Sequence, residues 1–589
     1  MYLFLNLGTK NIIRTLRIFL LLLQSLNSNT MKKLIACLFF GIIAYTAYAQ
    51  NETHTYRDLP YQATSEEQRM LPTWYEHVRS TMPPPGPVTA ISEFQPMSGV
   101  MVAYPGRFGV PMSLLREISQ IAQLKVLVYP ASDSNTVKSL LTSNGVNMAN
   151  VKYWVINHDS YWTRDYGPWF ILDGNDQISV VDFTYNRPSR PYDDAAMIQV
   201  ANKMQVNRYE MPLVHTGGNY MVNGYGTAAS TDLVEEENNN LSTADIQTLV
   251  SNYLGIDDYM LFPDPQGEYI AHVDCWGKFL GVDKVLIAQV STTNSNYNKY
   301  EEIANTFANS FSPWGNRYQV FRIYMPSTGS KATPYTNSLI LNDHVFVPIT
   351  GSQWDNDAIA TYEQAMPGYT IVPVMQSNMT PWLNTDALHC RTHELADVGM
   401  LYIRHYPVLG SQSASSPIEI TAEIKALSGQ SFVCDSLLIY FRINNGNWQC
   451  TQLDLVSGDQ FRGQLNVQSG DEVDYYLFAK DQSGRRECHP YIGAADPHHF
   501  SVAPLGIQSS IDEKVAAYPN PCTNWLVLQH AQGKLSTIRV TDIYGRIILE
   551  ETCHDDRTYL NTAHWTPGVY MVTITDQAGR TCTKKIIKK

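Results

Sequence analysis

The chain has 589 residues, of which 44% are hydrophobic and 16% charged, enough for three or four globular units with cores of their own. A formal charge of −13 without a basic stripe argues against nucleic acid as a partner. The 36 Tyr and 11 Trp fit a strand-rich extracellular protein.

Met31-Lys32-Lys33, the apolar run from Leu34 to Ile43 and Ala47-Tyr48-Ala49-Gln50 have the three-part layout of a secretory signal cleaved after Ala49. That layout makes Met31 the expected start, and residues 1–49 read together as leader and signal. No later window offers the ~18 unbroken apolar residues of a spanning helix, so the mature protein is expected to be soluble or attached by other means. Residues 50–86, polar and proline-bearing, read as a flexible lead-in or a removable pro-segment.

Residues 87–410 alternate short apolar strands with amphipathic helices, which predicts an α/β domain. Val100 to Tyr104, Val126 to Tyr129, Ile178 to Phe183, Val285 to Ala288, Val345 to Val347 and Leu401 to Ile403 read as buried strands. Pro111 to Gln123 reads as a helix with Leu114, Leu115, Ile118 and Ile121 on one face. Ser242 to Leu254 reads as another, with a capping pair Ser242 and Asp245 and a stop at Gly255. The run Glu235-Glu236-Glu237 reads as a solvated face rather than a calcium site.

The pattern then changes. In residues 411–505, the strands Leu438 to Ile443 and Val473 to Ala479 and the turn Asn445-Gly446 predict a small antiparallel sandwich of immunoglobulin-like size. A second all-β unit covers residues 511–589. Three cysteines in each unit (Cys434, Cys450 and Cys488; Cys522, Cys553 and Cys582) permit one disulfide and one spare thiol apiece. No zinc-type Cys/His spacing occurs.

Asp386-Ala387-Leu388-His389-Cys390-Arg391-Thr392-His393 places a single cysteine between histidines, far from other cysteines. On its own it is either a buried structural thiol or a nucleophile, and a nucleophile needs a proton-moving partner. Trp162-Thr163-Arg164-Asp165-Tyr166 and Glu268-Tyr269-Ile270-Ala271-His272-Val273-Asp274-Cys275-Trp276 each set a carboxylate among aromatics, where a bare charge is costly. Each Asp has a plain alternative in an ion pair to a local arginine such as Arg164. Together, Cys390, His272, Asp165 and Asp274 read as a site that holds a guanidinium and attacks its central carbon, with aromatics such as Trp162 and Tyr269 packed along the substrate stem. Cys275 is expected to be buried and inert beside Asp274. Either His389 or His393 is expected to point away, because alternate residues of a strand face opposite sides.

These motifs, with Asn186-Arg187-Pro188, Gly217-Gly218-Asn219-Tyr220 and Tyr335-Thr336-Asn337-Ser338, resemble in the same order those of the Porphyromonas-type peptidylarginine deiminases. These are secreted members of the guanidine-modifying (pentein) superfamily. The resemblance runs from about Thr81 to the C-terminus; short elements shared with agmatine deiminases, such as the Gly-Gly-Asn and His-Cys pairs, would by themselves identify only the superfamily. It implies a five-bladed α/β propeller and hydrolysis of peptidyl-arginine to citrulline and ammonia through a thiouronium on Cys390. In that scheme Cys390 is a thiolate, His272 an imidazolium acid and then a base, and Asp165 and Asp274 clamp the guanidinium. By resemblance Asn337 lies in the same pocket, and Arg187 with Arg190 grips the carboxylate of a peptide ending in arginine. Here Ser189 stands between those arginines as one extra residue, which leaves the placement of Arg190 open. No cofactor is implied.

Tyr518-Pro519-Asn520-Pro521, Val540-Thr541-Asp542-Ile543-Tyr544-Gly545-Arg546 and the Lys584 to Lys589 ending resemble the C-terminal sorting domains read by type IX secretion machinery. Such domains imply export through the periplasm, removal of the domain, and joining to a surface lipid. Two further readings stay open: deimination of agmatine or free arginine, and a cysteine protease or non-catalytic surface adhesin.

Overall fold

A computed structural model describes residues 59–60, 63–267, 270–326, 333–382, 385–412, 417–503, 514–531, 533–542, 545–553, 555–577 and 580–589. The signal-like stretch, the expected start at Met31 and Tyr269 lie outside the described residues.

One connectivity recurs between residues 97 and 396. A short strand pairs antiparallel with a buried central strand, and a surface helix carries the chain from the central strand to a parallel partner. Leu339–Leu341, His344–Ile349 and Thr370–Met375 form one such sheet around helix Asp355–Ala365. Gly277–Phe279, Lys284–Gln289 and Gln319–Tyr324 repeat it around helix Tyr297–Asn309. Met221–Val222, Thr227–Thr231 and Asp258–Phe262 repeat it around helix Thr243–Leu254. Trp169–Leu172, Ile178–Tyr185 and Arg208–His215 do so around helix Pro191–Met204. The remaining sheet is built from both ends of the region. Central strand Met97–Tyr104 runs parallel to Gln123–Val128 across helix Met112–Ile121, and its antiparallel neighbour is the late strand His393–Ala396.

The repeat follows from burial. A parallel pair needs a crossover that covers its face, so its strands are apolar throughout, and all eight residues of Ile178–Tyr185 are buried. The helices supply the cover with one apolar stripe, as Leu114, Leu115 and Ile118 do at full burial. The expected Ser242 and Asp245 capping box is present, and Gly255 ends that helix at φ 67°, a left-handed conformation that glycine adopts without strain.

Strand Leu401–Arg404, last of the expected α/β run, pairs instead with Ile418–Ala426 and opens the next region. There a sheet of Leu401–Arg404, Ile418–Ala426, Gln460–Leu465 and Asp454–Ser457 faces one containing Glu472–Lys480, Leu438–Ile443 and His498–Val502. Ile420, Ile424, Ile439, Tyr475 and Leu477 fill the space between. The turn after Leu438–Ile443 carries positive φ at Asn444 and Asn445 (53° and 56°), one residue earlier than the expected Asn445-Gly446 pair. Asparagine tolerates that region nearly as well as glycine, which is why the spacing misleads. Cys434, Cys450 and Cys488 are free thiols, as are Cys522 and Cys553, so neither trio forms the disulfide its count permits through these residues.

The C-terminal region is all β. Val515–Tyr518, Trp525–His530 and Arg557–Asn561 form one sheet, and Ile547–Thr552, Leu535–Asp542, Gly568–Asp576 and Thr581–Lys588 another. No helix among the described residues is long and apolar enough to cross a membrane.

Candidate active site

The candidate residues share one place in the repeat. Asp165 precedes the first strand of its sheet, Trp169–Leu172; Gly217–Asn219 precedes Met221–Val222; His272 and Asp274 precede Gly277–Phe279; Asn337 precedes Leu339–Leu341; Cys390 precedes His393–Ala396. Residues hundreds of positions apart therefore sit on equivalent turns, and contacts between those turns build the site.

Cys390 is 2% exposed, and its Sγ accepts a hydrogen bond from Asn337 Nδ2 at 3.1 Å and lies 3.6 Å from Asp274 Oδ2. Asn337 Oδ1 in turn accepts the backbone N–H groups of Ala387 (3.0 Å) and Cys390 (3.2 Å), holding the nucleophile turn. Asp274 Oδ2 accepts from His389 Nδ1 at 2.7 Å. Across the site, His272 Nδ1 is 3.7 Å from Asp165 Oδ1. Gly218 lies against both: a Cβ there would sit 2.5 Å from His272 Nδ1 and 2.9 Å from Asp165 Oδ1, so only glycine fits. Asn219 ties the neighbouring turns by accepting from Thr231 N (2.8 Å) and Val273 N (3.3 Å). Ala271, beside His272, has φ 45°, a strained setting for a residue with a Cβ.

Asp165 is not paired with Arg164. The Arg164 guanidinium donates through Nη1 and Nη2 to both carboxylate oxygens of the buried Glu394. Asp165 Oδ1 and both ring nitrogens of His272 are consequently buried without a hydrogen-bond partner, which is uncommon enough to mark a ligand site. Burial, and then the nearby Asp274 carboxylate, push Asp165 up to about 8. Burial outweighs Asp274 and brings His272 down to about 3. Burial and then Asp274 raise the Cys390 thiol well above its usual range. Asp274 behaves differently: burial pushes it up, but the His389 hydrogen bond and charge prevail and hold it below its ordinary value. Both shifts favour the uncharged thiol and the uncharged imidazole, and the charge of Asp274 acts on each.

Trp162 donates from Nε1 to Asp386 Oδ2 at 3.0 Å, and its ring packs with Tyr161 against Cys390 while lying 4.9 Å from the Arg190 guanidinium. Arg190 is 1% exposed and donates from Nη2 to Pro60 O at 2.6 Å; Arg187 donates from Nη1 to Asn186 O at 3.0 Å. Both arginines lower the carboxyl pKa of Asp165 by their charge, so the pair lies within electrostatic range of the site. Glu237, expected on a solvated face, is buried, accepts from Asn186 Nδ2 at 2.7 Å and interacts with the Arg187 charge. Its helix packs inward because Val234, three residues earlier, is also buried. Cys275 is 1% exposed.

A family model described as Porphyromonas-type peptidyl-arginine deiminase matches residues 90–395, slightly more than half of the chain. The chain belongs to this family. A second model, the secretion system C-terminal sorting domain, matches residues 516–589 and indicates secretion by the type IX route or attachment to the cell surface. Among relatives, the agmatine deiminase of Pseudomonas putida is 22% identical over 51% of this chain and 94% of its own. A Legionella pneumophila protein with a provisional agmatine deiminase name is 25% identical over 47% of this chain and 83% of its own. Among solved structures, the agmatine deiminase of Enterococcus faecalis covers 55% of this chain and 97% of its own at 21% identity and TM-score 0.45. The protein is accordingly a guanidino-group deiminase, a hydrolase of amidine C–N bonds.

Several residues of this deiminase site escaped the sequence reading. Glu93 Oε2 contacts Lys278 Nζ (2.6 Å) and His389 Nε2 (3.2 Å), and its Oε1 accepts from Ile340 N (2.7 Å). Lys278, Glu93, His389 and Asp274 therefore form a buried polar chain that ends on the carboxylate beside Cys390. Nothing in the local pattern Ser92-Glu93-Phe94 distinguishes this carboxylate from a surface one. Asp386 receives Arg391 at 2.9 and 2.8 Å besides Trp162, bracing the nucleophile turn. His393 turns away, its Nδ1 facing Glu394 O at 2.7 Å. Of the two histidines around Cys390, His389 is the one facing the site.

Proposed function

We propose that this deiminase hydrolyses peptidyl-arginine to peptidyl-citrulline and ammonia, with Cys390 as nucleophile. The observation that carries the reading is the set of buried, unpartnered acceptors on Asp165 and His272 facing the Asp274–Cys390 pair. A planar cation with several N–H donors satisfies Asp165 Oδ1 and the acceptor nitrogen of His272, which an apolar ligand cannot do and an anion cannot do for the carboxylate. Asp165 loses its proton as the guanidinium enters. The cation then lowers the thiol pKa, and the proton passes from Cys390 to His272, whose imidazolium the two carboxylates stabilise. The thiolate attacks the central carbon. His272 returns the proton to the departing nitrogen, the C–N bond breaks, ammonia leaves and a thiouronium remains on sulfur. Neutral His272 next takes a proton from water, whose oxygen adds to that carbon. The C–S bond breaks to release citrulline and Cys390. Asn337 positions the sulfur.

Arg187 and Arg190 favour a substrate with a free carboxylate, hence a peptide ending in arginine, and disfavour the second cation of agmatine. The names of the relatives favour agmatine, which is the competing reading. Incubating the protein with an arginine-terminated peptide, its amidated form, a peptide with internal arginine, free arginine and agmatine separates the two by mass and ammonia release. Turnover of agmatine alone would refute the peptide reading, and a cleaved peptide would indicate a protease. The same proposal takes the five sheets as blades of an α/β propeller and residues 411–505 as immunoglobulin-like. It further takes residues 1–49 as leader and signal, with lipid attachment following removal of the C-terminal domain.

A further inference from the structure

Residues 59–77 precede the α/β region, yet they reach its site. Glu67, in the short helix Ser65–Met70, is fully buried. Its Oε2 accepts from Thr64 N at 2.7 Å within a capping box, while its Oε1 accepts from Ser189 Oγ at 2.7 Å and lies 3.9 Å from Arg190 Nε. Burial raises its pKa, but Thr64, Ser189 and the charges of Arg190 and Arg187 together hold it below its ordinary value. Pro60 O takes a second donor of Arg190 at 2.6 Å, and Leu59 packs on the Tyr161, Trp162 and Cys390 cluster. Leu59 and Pro60 also wall a cleft of about 470 Å³ with Tyr161, Arg107 and Arg391. Downstream the segment is moored by Trp74 Nε1 donating to Tyr185 O at 2.9 Å and by Arg79 among Asp182, Asp194 and Glu210.

A carboxylate of the chain thus occupies Ser189 and Arg190, and an apolar side chain of the same segment packs on the cluster that contains Cys390. The extra residue Ser189 supplies the hydroxyl that binds it. We propose that residues 59–60 and 63–70 act as an autoinhibitory plug in which Glu67 stands in for the carboxylate of an arginine-terminated peptide, so that substrate gains Cys390 only when the segment is displaced or cut. The inference rests on the substrate reading above. A tethered competitor acts at an effective concentration of roughly millimolar, enough to suppress binding of weaker peptides without any change in the chemistry.

The test uses the full chain with a protease recognition sequence inserted between the exposed residues Pro72 and Thr73, and separately Glu67→Ala and Glu67→Gln. Two readouts are taken before and after cutting: alkylation of Cys390 by iodoacetamide, mapped by peptide mass, and the KM for an arginine-terminated peptide and its amide. Cutting is expected to speed Cys390 alkylation about tenfold and to lower KM for both peptides, and cutting or Glu67→Ala to lower KM for the free-carboxylate peptide about tenfold, more than for the amide. Alkylation and KM unaltered by cutting and by both substitutions overturn the plug. Alkylation needs no turnover, so faster labelling with no citrulline from any guanidine supports the plug and refutes the deimination reading. Equal turnover by cut and uncut protein does the reverse.

Discussion

The side-chain amide of Asn337 donates to Cys390 Sγ at 3.1 Å while its carbonyl oxygen accepts the backbone N–H of the same Cys390 at 3.2 Å. One residue, carried by a different sheet, therefore sets both the sulfur and the turn that bears it. A hydrogen bond to sulfur favours the thiolate, and the backbone bonds fix the direction of attack.

Asn337→Ala is expected to lower kcat by about 10²-fold with a small change in KM, because positioning is lost and the guanidinium contacts are kept. Asn337→Asp should be worse, since a carboxylate would face the developing thiolate. Steady-state kinetics on the preferred guanidine, with circular dichroism as a check on folding, decide it.

Asp165 trades stability for function. Burial and the Asp274 charge push its carboxyl up to about 8, far above the ordinary range of an aspartate at about 4. Between those values the native protein holds a proton that the unfolded chain has lost, so this group's contribution to stability falls as pH rises from about 4 to about 8. Asp165→Asn removes the dependence. The variant should be inactive, match the parent near pH 4 and exceed it in stability by a margin that grows towards pH 8, read by thermal or urea unfolding across that range. A variant less stable than the parent at pH 8 would mean that Asp165 is paired in the substrate-free protein.

The same titration shapes the activity profile. The free enzyme must ionise Asp165 before it binds a guanidinium, so kcat/KM is expected to rise with pH to a plateau above about 8. Because kcat reports the loaded site, where the cation lowers both Asp165 and Cys390, its rise should lie at lower pH. Coincident profiles would argue against substrate-assisted ionisation.

Glu93 joins Lys278 and His389, and removing its charge leaves the Lys278 ammonium buried without its carboxylate and loosens the contact to His389. Glu93→Gln should cost about 3 kcal/mol of stability and reduce kcat about tenfold by loosening His389 on Asp274. Glu93→Gln with Lys278→Met should recover part of the stability, since the stranded ammonium is gone. Urea midpoints of the two variants and the parent measure this coupling.

Much of this was legible from residues alone. Strand Ile178–Tyr185 and helix Thr243–Leu254 announce themselves because burial of both faces and a capping box are local patterns, written in consecutive residues. Cys390, His272, Asp165 and Asp274 stand out because a thiol and carboxylates among aromatics are costly without a use. The order of the six motifs carries the family.

Contacts between turns were not legible. Arg164 could have paired with the adjacent Asp165; the fold sends it to Glu394, and that choice alone leaves Asp165 open for a cation. Glu93 and Glu67 look like any surface glutamates, and only packing against Lys278 and Ser189 makes them part of the site. Protonation belongs to the same class. Residue type supplies ordinary pKa values, whereas burial and charges from residues remote in sequence push the Cys390 thiol up and the His272 imidazole down. What short-range pattern determines is the identity of the elements and of the reactive groups; what the tertiary structure decides is which charges meet, because Coulomb and desolvation energies depend on distances in space that sequence separation does not encode.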